Sequence, residues 1–323
     1  MNGFHHNGAD KCMYSKFTKG FGVIICLYVD DMLIFSTNMI GIVETKRYLT
    51  FIFKMKDLGE VDTILGIKVK KHSSGYALNQ SHNIEKMLDK FKHLNIKEAN
   101  TLFDSSMKLN DYCDKAIAQL EYASAIGSFM YAMYCTRPYI VFAICKLSRY
   151  TSKPNTDHWK AIARVFGYLK RMIDLGLFYF DFSAIMEGYS NASWMTSSSD
   201  NKSTSGWIFS LGRGAISWAS KKQTCISHST MESKFIVIAD AGKEAEWLRN
   251  MLFDIKLWPQ PMSAISLYCD SEATMSRAYS NIYNGKSRHI SIRHGYIREL
   301  ITNGVIVIIY VKSVNNLADP LTK

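Results

Sequence analysis

From about residue 177 to its end the chain alternates short apolar, β-prone segments with helical stretches, and no other feature constrains the fold as strongly. Residues 177–182, 184–190, 205–211 and 215–220 read as strands. A long helix follows over 229–255, opened by Ser229 and Thr230 with Glu232 in its first turn. Then come a strand at 264–269, a short helix after Asp270, a helix over 289–302 ended by Gly304, a strand at 305–311 and a short helix from near Asn315. The order β-β-β-β-α-β-α-α-β-α predicts helices packed against one central sheet.

The first half is patterned differently. Residues 1–17 hold no apolar core of a secretory signal, and 1–10 read as a loop. Two apolar runs, 21–29 and 32–35, flank Asp30 and Asp31 and predict a β-hairpin with carboxylates at its tip. A helix is expected over 42–55, strands over 61–70 and 75–78, and a helix N-capped by Ser81 with Lys86, Lys90, Lys92 and His93 on its polar face. Residues 98–114 lack a period. Helices are expected around Ile126, Met130 and Met133, over 140–147, and over 157–173.

The 323 residues suggest about two domains. An apolar fraction of 47% with 21% charged residues excludes a disordered or fibrous chain. The net charge is +11; residues 1–180 carry 24 basic and 16 acidic side chains, so most of the excess lies there. Such a balance favours phosphate-bearing partners. Seven cysteines, Cys113 among them, show no CxxC pair, which argues against a disulfide scaffold or zinc ribbon and for a reducing intracellular compartment. The longest apolar runs are far too short to span a membrane.

The chemistry-bearing residues lead to a family. Leu27-Tyr-Val-Asp-Asp-Met-Leu-Ile-Phe35 resembles the reverse-transcriptase palm motif of copia-type LTR retrotransposon Pol polyproteins. In the same order follow Met55-Lys-Asp-Leu-Gly59, Leu65-Gly-Ile67, Leu78-Asn-Gln-Ser81, Ile126-Gly-Ser128, Thr136-Arg-Pro138 and Lys202-Ser-Thr-Ser-Gly206. Gly214-Ala-Ile-Ser-Trp218, Lys221-Lys-Gln223, Tyr268-Cys-Asp270 and Leu317-Ala-Asp319 complete the series. Single motifs are weak; the ordered set is specific. The resemblance implies an α+β and α/β chain: late palm, thumb and connection of a reverse transcriptase over 1–180, then an RNase H-like mixed sheet with flanking helices over 181–323. It also implies Mg²⁺ chemistry on RNA–DNA hybrids, with no small-molecule cofactor. The family's third polymerase Asp, its fingers and its early palm are expected to be missing, leaving Asp30 and Asp31 without a third ligand and the chain without DNA synthesis of its own.

The RNase H positions depart further. The family's first acid lies in a Gly-Tyr-Ser-Asp-Ala-Asp-Trp strand; this chain reads Gly188-Tyr-Ser-Asn-Ala-Ser-Trp194, which puts Asn191 at the ligand position. The family's Glu lies in a Glu-Ser/Ala-Glu-Phe/Tyr helix; this chain reads Glu232-Ser-Lys-Phe235, which puts Lys234 there. Asp270 and Asp319 match the other two acids. Lys234 falls on the stripe of Met231 and Ile238 that faces the sheet, about 200° from Glu232, so its ammonium is expected to reach Asp270 in place of a metal. At ~4 Å and an effective dielectric near 20 a unit-charge pair is worth about 4 kcal/mol, so exchanging Glu for Lys turns attraction for Mg²⁺ into repulsion.

Arg288, His289, Arg293 and His294, with Arg298, form a basic stretch that either contacts phosphate or faces water, and Lys221 and Lys222 either touch a hybrid backbone or sit on a solvated turn. The six tryptophans are expected in core or helix–sheet contacts. Three readings remain: a decayed Pol fragment with residual nucleic-acid binding; an active reverse transcriptase or weakly metal-bound RNase H, holding an ion at Asp270 and Asp319, that needs an upstream part; or a product that folds poorly because half a palm sheet exposes an edge and apolar surface.

Overall fold

Alternation along residues 22–28 turns Val23 and Ile25 to one side, where both are buried against Leu49. In the computed structural model, which describes residues 3–103, 109, 116–180, 183–196, 200–282 and 288–323, that side is one face of an antiparallel sheet ordered β1-β2-β3-β4. Its strands are β1 (His5–His6), β2 (Met13–Phe17), β3 (Gly22–Tyr28) and β4 (Asp31–Ser36). β1 and β2 lie where the sequence reads mostly as loop, because two- and five-residue strands carry too little periodicity to register. Helix α1 (Met39–Ile52) covers the sheet. It begins earlier than expected, where the Asn38 side chain accepts from the Ile40 amide, and ends where Phe53 turns extended.

A second antiparallel sheet holds β5 (Thr63–Ile64), β6 (Ile67–His72), β7 (Gly75–Asn79) and β8 (Gly176–Phe180) in that order. This corrects the expectation from sequence. Residues 176–180 do not join the central sheet of the second half; they pair with β7, Gly75 opposite Phe180 and Asn79 opposite Gly176. Alternation marks a strand but does not name its partner. The segment between β7 and β8 contains α2 (Ser81–Lys90), α3 (Gln119–Cys135), α4 (Val141–Leu147) and α5 (Thr156–Arg171). Ser81 is the first helical residue rather than the cap, its amide held by the Asn79 side chain. The core of these helices is aromatic: Phe166 lies 5.0 Å from Phe91 and 4.4 Å from Phe129, ring centre to ring centre. Arg137 is fully buried and donates to the Met172 and Ile173 carbonyls just beyond α5, the end of a helix that favours a cation.

Gly167 permits the close approach of α5 to the loop before it in space: a Cβ there would stand 2.1 Å from the Lys97 carbonyl oxygen. Gly167→Ala is therefore expected to lower stability by about 1–3 kcal/mol, read as an earlier urea midpoint. An unchanged midpoint would mean that the loop yields freely.

The third sheet is ordered β11-β10-β9-β12-β13. β9 (Met186–Ser193), β10 (Thr204–Leu211) and β11 (Gly214–Lys222) run antiparallel, whereas β12 (Ile265–Cys269) and β13 (Ile306–Tyr310) run parallel to β9. Helices α6 (Thr230–Phe253), α7 (Glu272–Tyr279) and α8 (Arg288–Thr302) accompany it, and Phe209, Phe235, Leu267 and Ile297 belong to its core. The expected final helix is instead two 3₁₀ turns, Ser313–Asn315 and Asp319–Leu321. Leu321 of the second turn is buried among the helices of the first half. Further contacts join the halves, among them the Trp218 indole donating to the Met133 carbonyl at 2.8 Å and Asn7 donating to the Met251 carbonyl at 2.8 Å. Trp207 is buried and Trp159, Trp218 and Trp258 pack against cores, but Trp194 and Trp247 are substantially exposed. Among the described residues no helix is long and apolar enough to cross a membrane. Cys113 lies outside them.

Candidate active-site cluster at the carboxyl ends of β9 and β12

Because β9 and β12 are parallel, their carboxyl ends emerge at one edge, the place where open α/β sheets gather functional side chains. The register sets Cys269 beside Ser190, so one residue further Asp270 leaves the sheet beside Asn191. α6 crosses above with Lys234 in its second turn. Its N-terminus is fixed by reciprocal capping: Ser229 accepts from the Glu232 amide, and the Glu232 carboxylate accepts from the His228 amide at 2.8 Å. Glu232 is thus occupied away from Asp270. The turn carrying Asp319 closes the cluster, and Gly206 lets it approach: a Cβ there would meet Thr322 Cγ2 at 2.8 Å.

These four positions make two polar pairs. Lys234 Nζ stands 2.6 Å from Asp270 Oδ1, with side-chain exposures of 17% and 4%, and Asp270 Oδ2 accepts from the Ser313 hydroxyl at 2.8 Å. Asn191 Nδ2 donates to Asp319 Oδ1 at 2.7 Å, and its own Oδ1 accepts from the Ala192 amide at 2.8 Å. Lys323 Nζ also sits 2.6 Å from Asp319 Oδ1. Two carboxylates are thereby matched by two ammonium groups. Neighbouring Cys269 is buried, which pushes its thiol up to about 11 and keeps it protonated near neutrality. Sequence reasoning misses Ser313 and Lys323, since short 3₁₀ turns leave no periodic signal.

The other predicted residues lie apart. Asp30 and Asp31 are exposed at the β3–β4 turn. Val29 before them is 90% exposed and holds a left-handed backbone at φ 51°, a conformation that strains a β-branched residue by on the order of 1–3 kcal/mol. Among the described residues no three His, Cys, Asp or Glu side chains assemble as a metal-holding group. Lys221 lies over the Trp207 ring at 4.8 Å, and Lys222 pairs with Asp200 at 2.5 Å. His294 corrects the expectation of a phosphate contact: it is 6% exposed, shares a hydrogen bond with the Arg277 carbonyl at 3.1 Å and stacks beside Phe235. The helical period turns it inward, as it does Ile290 and Ile297 on the same helix. Arg293 on α8 is partly exposed, and Arg298 bonds the Tyr279 carbonyl and Asn281. The side chains of Arg288 and His289 lie outside the described residues.

The family model for reverse transcriptase (RNA-dependent DNA polymerase) matches residues 1–104. Over 325 residues the chain is 34% identical to the retrovirus-related Pol polyprotein from transposon TNT 1-94 of Nicotiana tabacum, an alignment that covers 98% of this chain and 24% of that polyprotein. It is 29% identical over 326 residues to the retrovirus-related Pol polyprotein from transposon RE2 of Arabidopsis thaliana, covering 99% and 22%. This chain belongs to the Pol polyproteins of copia-type retrotransposons. It spans about a quarter of the length of these curated relatives. Among solved structures, LC11-RNase H1 isolated from compost matches at a TM-score of 0.34 and 13% identity, covering 43% of this chain and 93% of that one. The Pol chain combines a reverse-transcriptase region with a second half built as a five-stranded mixed sheet and flanking helices, the layering expected from its alternation of strands and helices. Reverse transcriptases and RNases H use Mg²⁺.

Proposed function

We propose that this Pol chain binds nucleic acid weakly through phosphate contacts and does not cut it. One observation carries the reading: the Lys234 ammonium lies 2.6 Å from Asp270, within the cluster that would have to hold the metal. Mg²⁺ takes hard oxygen donors in near-octahedral geometry. Here one Asp270 oxygen is taken by an ammonium, the Asn191 oxygen is turned to a backbone amide, and Asp319 faces an amide N–H and the Lys323 ammonium. This donor set does not fit the ion. Asp30 and Asp31, exposed as a pair, are the polymerase counterpart, and DNA synthesis by this chain alone is not expected.

Binding without cleavage has a simple test. A labelled RNA–DNA hybrid should stay intact in Mg²⁺; metal-dependent cutting that disappears in Asp270→Asn would overturn the reading. The same hybrid should bind with strong salt dependence, because the excess positive charge contacts phosphates and releases counterions. With about four such contacts, affinity should fall roughly a hundredfold between 50 and 200 mM salt. No binding at 50 mM would refute the nucleic-acid half of the reading.

A further inference from the structure

β11 is the last strand of its sheet, so among the described residues its outer edge has no strand partner. Its beginning is covered: the Tyr179 hydroxyl donates to the Ala215 carbonyl at 2.7 Å, and the Phe180 amide donates to the Gly212 carbonyl just before the strand; further along, the Trp218 side chain reaches the Met133 carbonyl of α3. Along the remainder runs a cleft of about 560 Å³, bounded on its far side by α3 and α4. The six consecutive residues 217–222 all line it. Successive strand side chains point to opposite faces, so six consecutive lining residues mean that the cleft follows the strand's edge, main chain included, rather than one face.

The walls differ in character. Met130 and Tyr134 of α3, both exposed, make one side largely apolar, with Met133, Val141 and Ile144 buried in the core beneath. Lys221, Lys222 and Arg149 make one end basic, and the single lining carboxylate, Glu244, is bonded to the Ser217 hydroxyl at 2.6 Å toward the other end. Asp200 offsets Lys222, while Lys221 rests on the Trp207 ring. Two polar atoms in the wall, the Trp207 indole nitrogen and the Ser220 hydroxyl oxygen, have no hydrogen-bond partner among the described residues although each residue is 3% exposed.

We propose that this cleft receives an extended peptide that adds as a sixth strand beside residues 217–222, with alternate apolar side chains toward Met130 and Tyr134 of α3 and acidic residues at the Lys221 end. An open strand edge supplies main-chain hydrogen bonds to such a ligand, and the flanking pockets and charges select its side chains. A nucleic-acid strand lacks the alternating main-chain donors and acceptors that an edge of this kind pairs with.

The test uses the full chain and a fluorescein-labelled heptapeptide, Glu-Glu-Val-Thr-Val-Thr-Val, with a Lys-Lys counterpart and single-stranded oligo-dT as comparisons. The acidic peptide should bind at least tenfold more tightly than the basic one. It should slow hydrogen exchange at outward-facing amides within 217–222. Lys221→Glu with Lys222→Glu, both partly exposed changes, should reverse the preference between the peptides. Peptide binding that leaves exchange at 217–222 unchanged would overturn the proposal. So would binding of oligo-dT, but not the acidic peptide, that is lost in the charge-reversed variant, or failure of the acidic peptide to bind. Hybrid binding at low salt together with no peptide binding would reject this inference alone and leave the nucleic-acid reading standing.

Discussion

Lys234→Glu combined with Asn191→Asp should turn the cluster at the ends of β9 and β12 into a divalent-metal site. The two changes take the local charge from zero, with Asp270 and Asp319 matched by Lys234 and Lys323, to minus three. At ~4 Å and an effective dielectric near 20, each unit-charge interaction is worth about 4 kcal/mol, and a divalent ion feels twice that. The backbone is already arranged: Asp270 follows β12 beside Asn191 of β9, and the Asp319 turn is held within hydrogen-bond distance of both Asn191 and Lys323. Calorimetric titration with Mn²⁺ should show binding at least tenfold tighter than in the parent chain, about 1.4 kcal/mol or more. Hybrid cleavage in Mg²⁺ should rise roughly a hundredfold over the parent background, about 2.7 kcal/mol of barrier. Without metal the four carboxylates repel one another, so added Mg²⁺ should also raise the melting temperature of the variant and not of the parent. A variant that folds but neither binds Mn²⁺ nor gains stability from Mg²⁺ would show that the cluster is not built for metal, and would remove the basis for reading Lys234 as its disabling residue.

Lys234→Ala alone should be strongly destabilising. Asp270 is 4% exposed, and the loss of the ammonium leaves its carboxylate with the Ser313 hydroxyl and no cation. Breaking one side of a buried pair costs about 3–5 kcal/mol, whereas replacing both charges is often nearly neutral. For a unit of this size that is a fall of roughly 6–20 °C in melting temperature. Lys234→Met with Asp270→Asn should recover most of it, since neither partner is then left charged. Equal losses in the single and double variants would show that the pair contributes packing rather than charge compensation. The same comparison bears on whether the pair has replaced a metal as the glue of this edge.

Much of the molecule is legible without coordinates. The ordered motifs carry the family, and apolar periodicity places β3, β4, α5, α6 and β10 to β13 within a few residues of their observed bounds. The misplacements have identifiable causes. β8 reads as a strand of the wrong sheet because its partner, β7, lies about a hundred residues earlier in the chain. His294 reads as one of the surface cations because a charge-bearing side chain on an amphipathic helix is usually solvated, yet here the period turns it inward onto Phe235.

The chain alone determined which chemistry the cluster could offer, since residue type is local: an amide at 191, an ammonium at 234, carboxylates at 270 and 319. Only the tertiary structure decided who answers whom. Lys234 and Asp270 are 36 residues apart, and Asn191 and Asp319 are 128 apart. Distances of 2.6 and 2.7 Å across such separations follow from strand register and helix placement, which arise from the simultaneous packing of many side chains and from no short stretch of sequence.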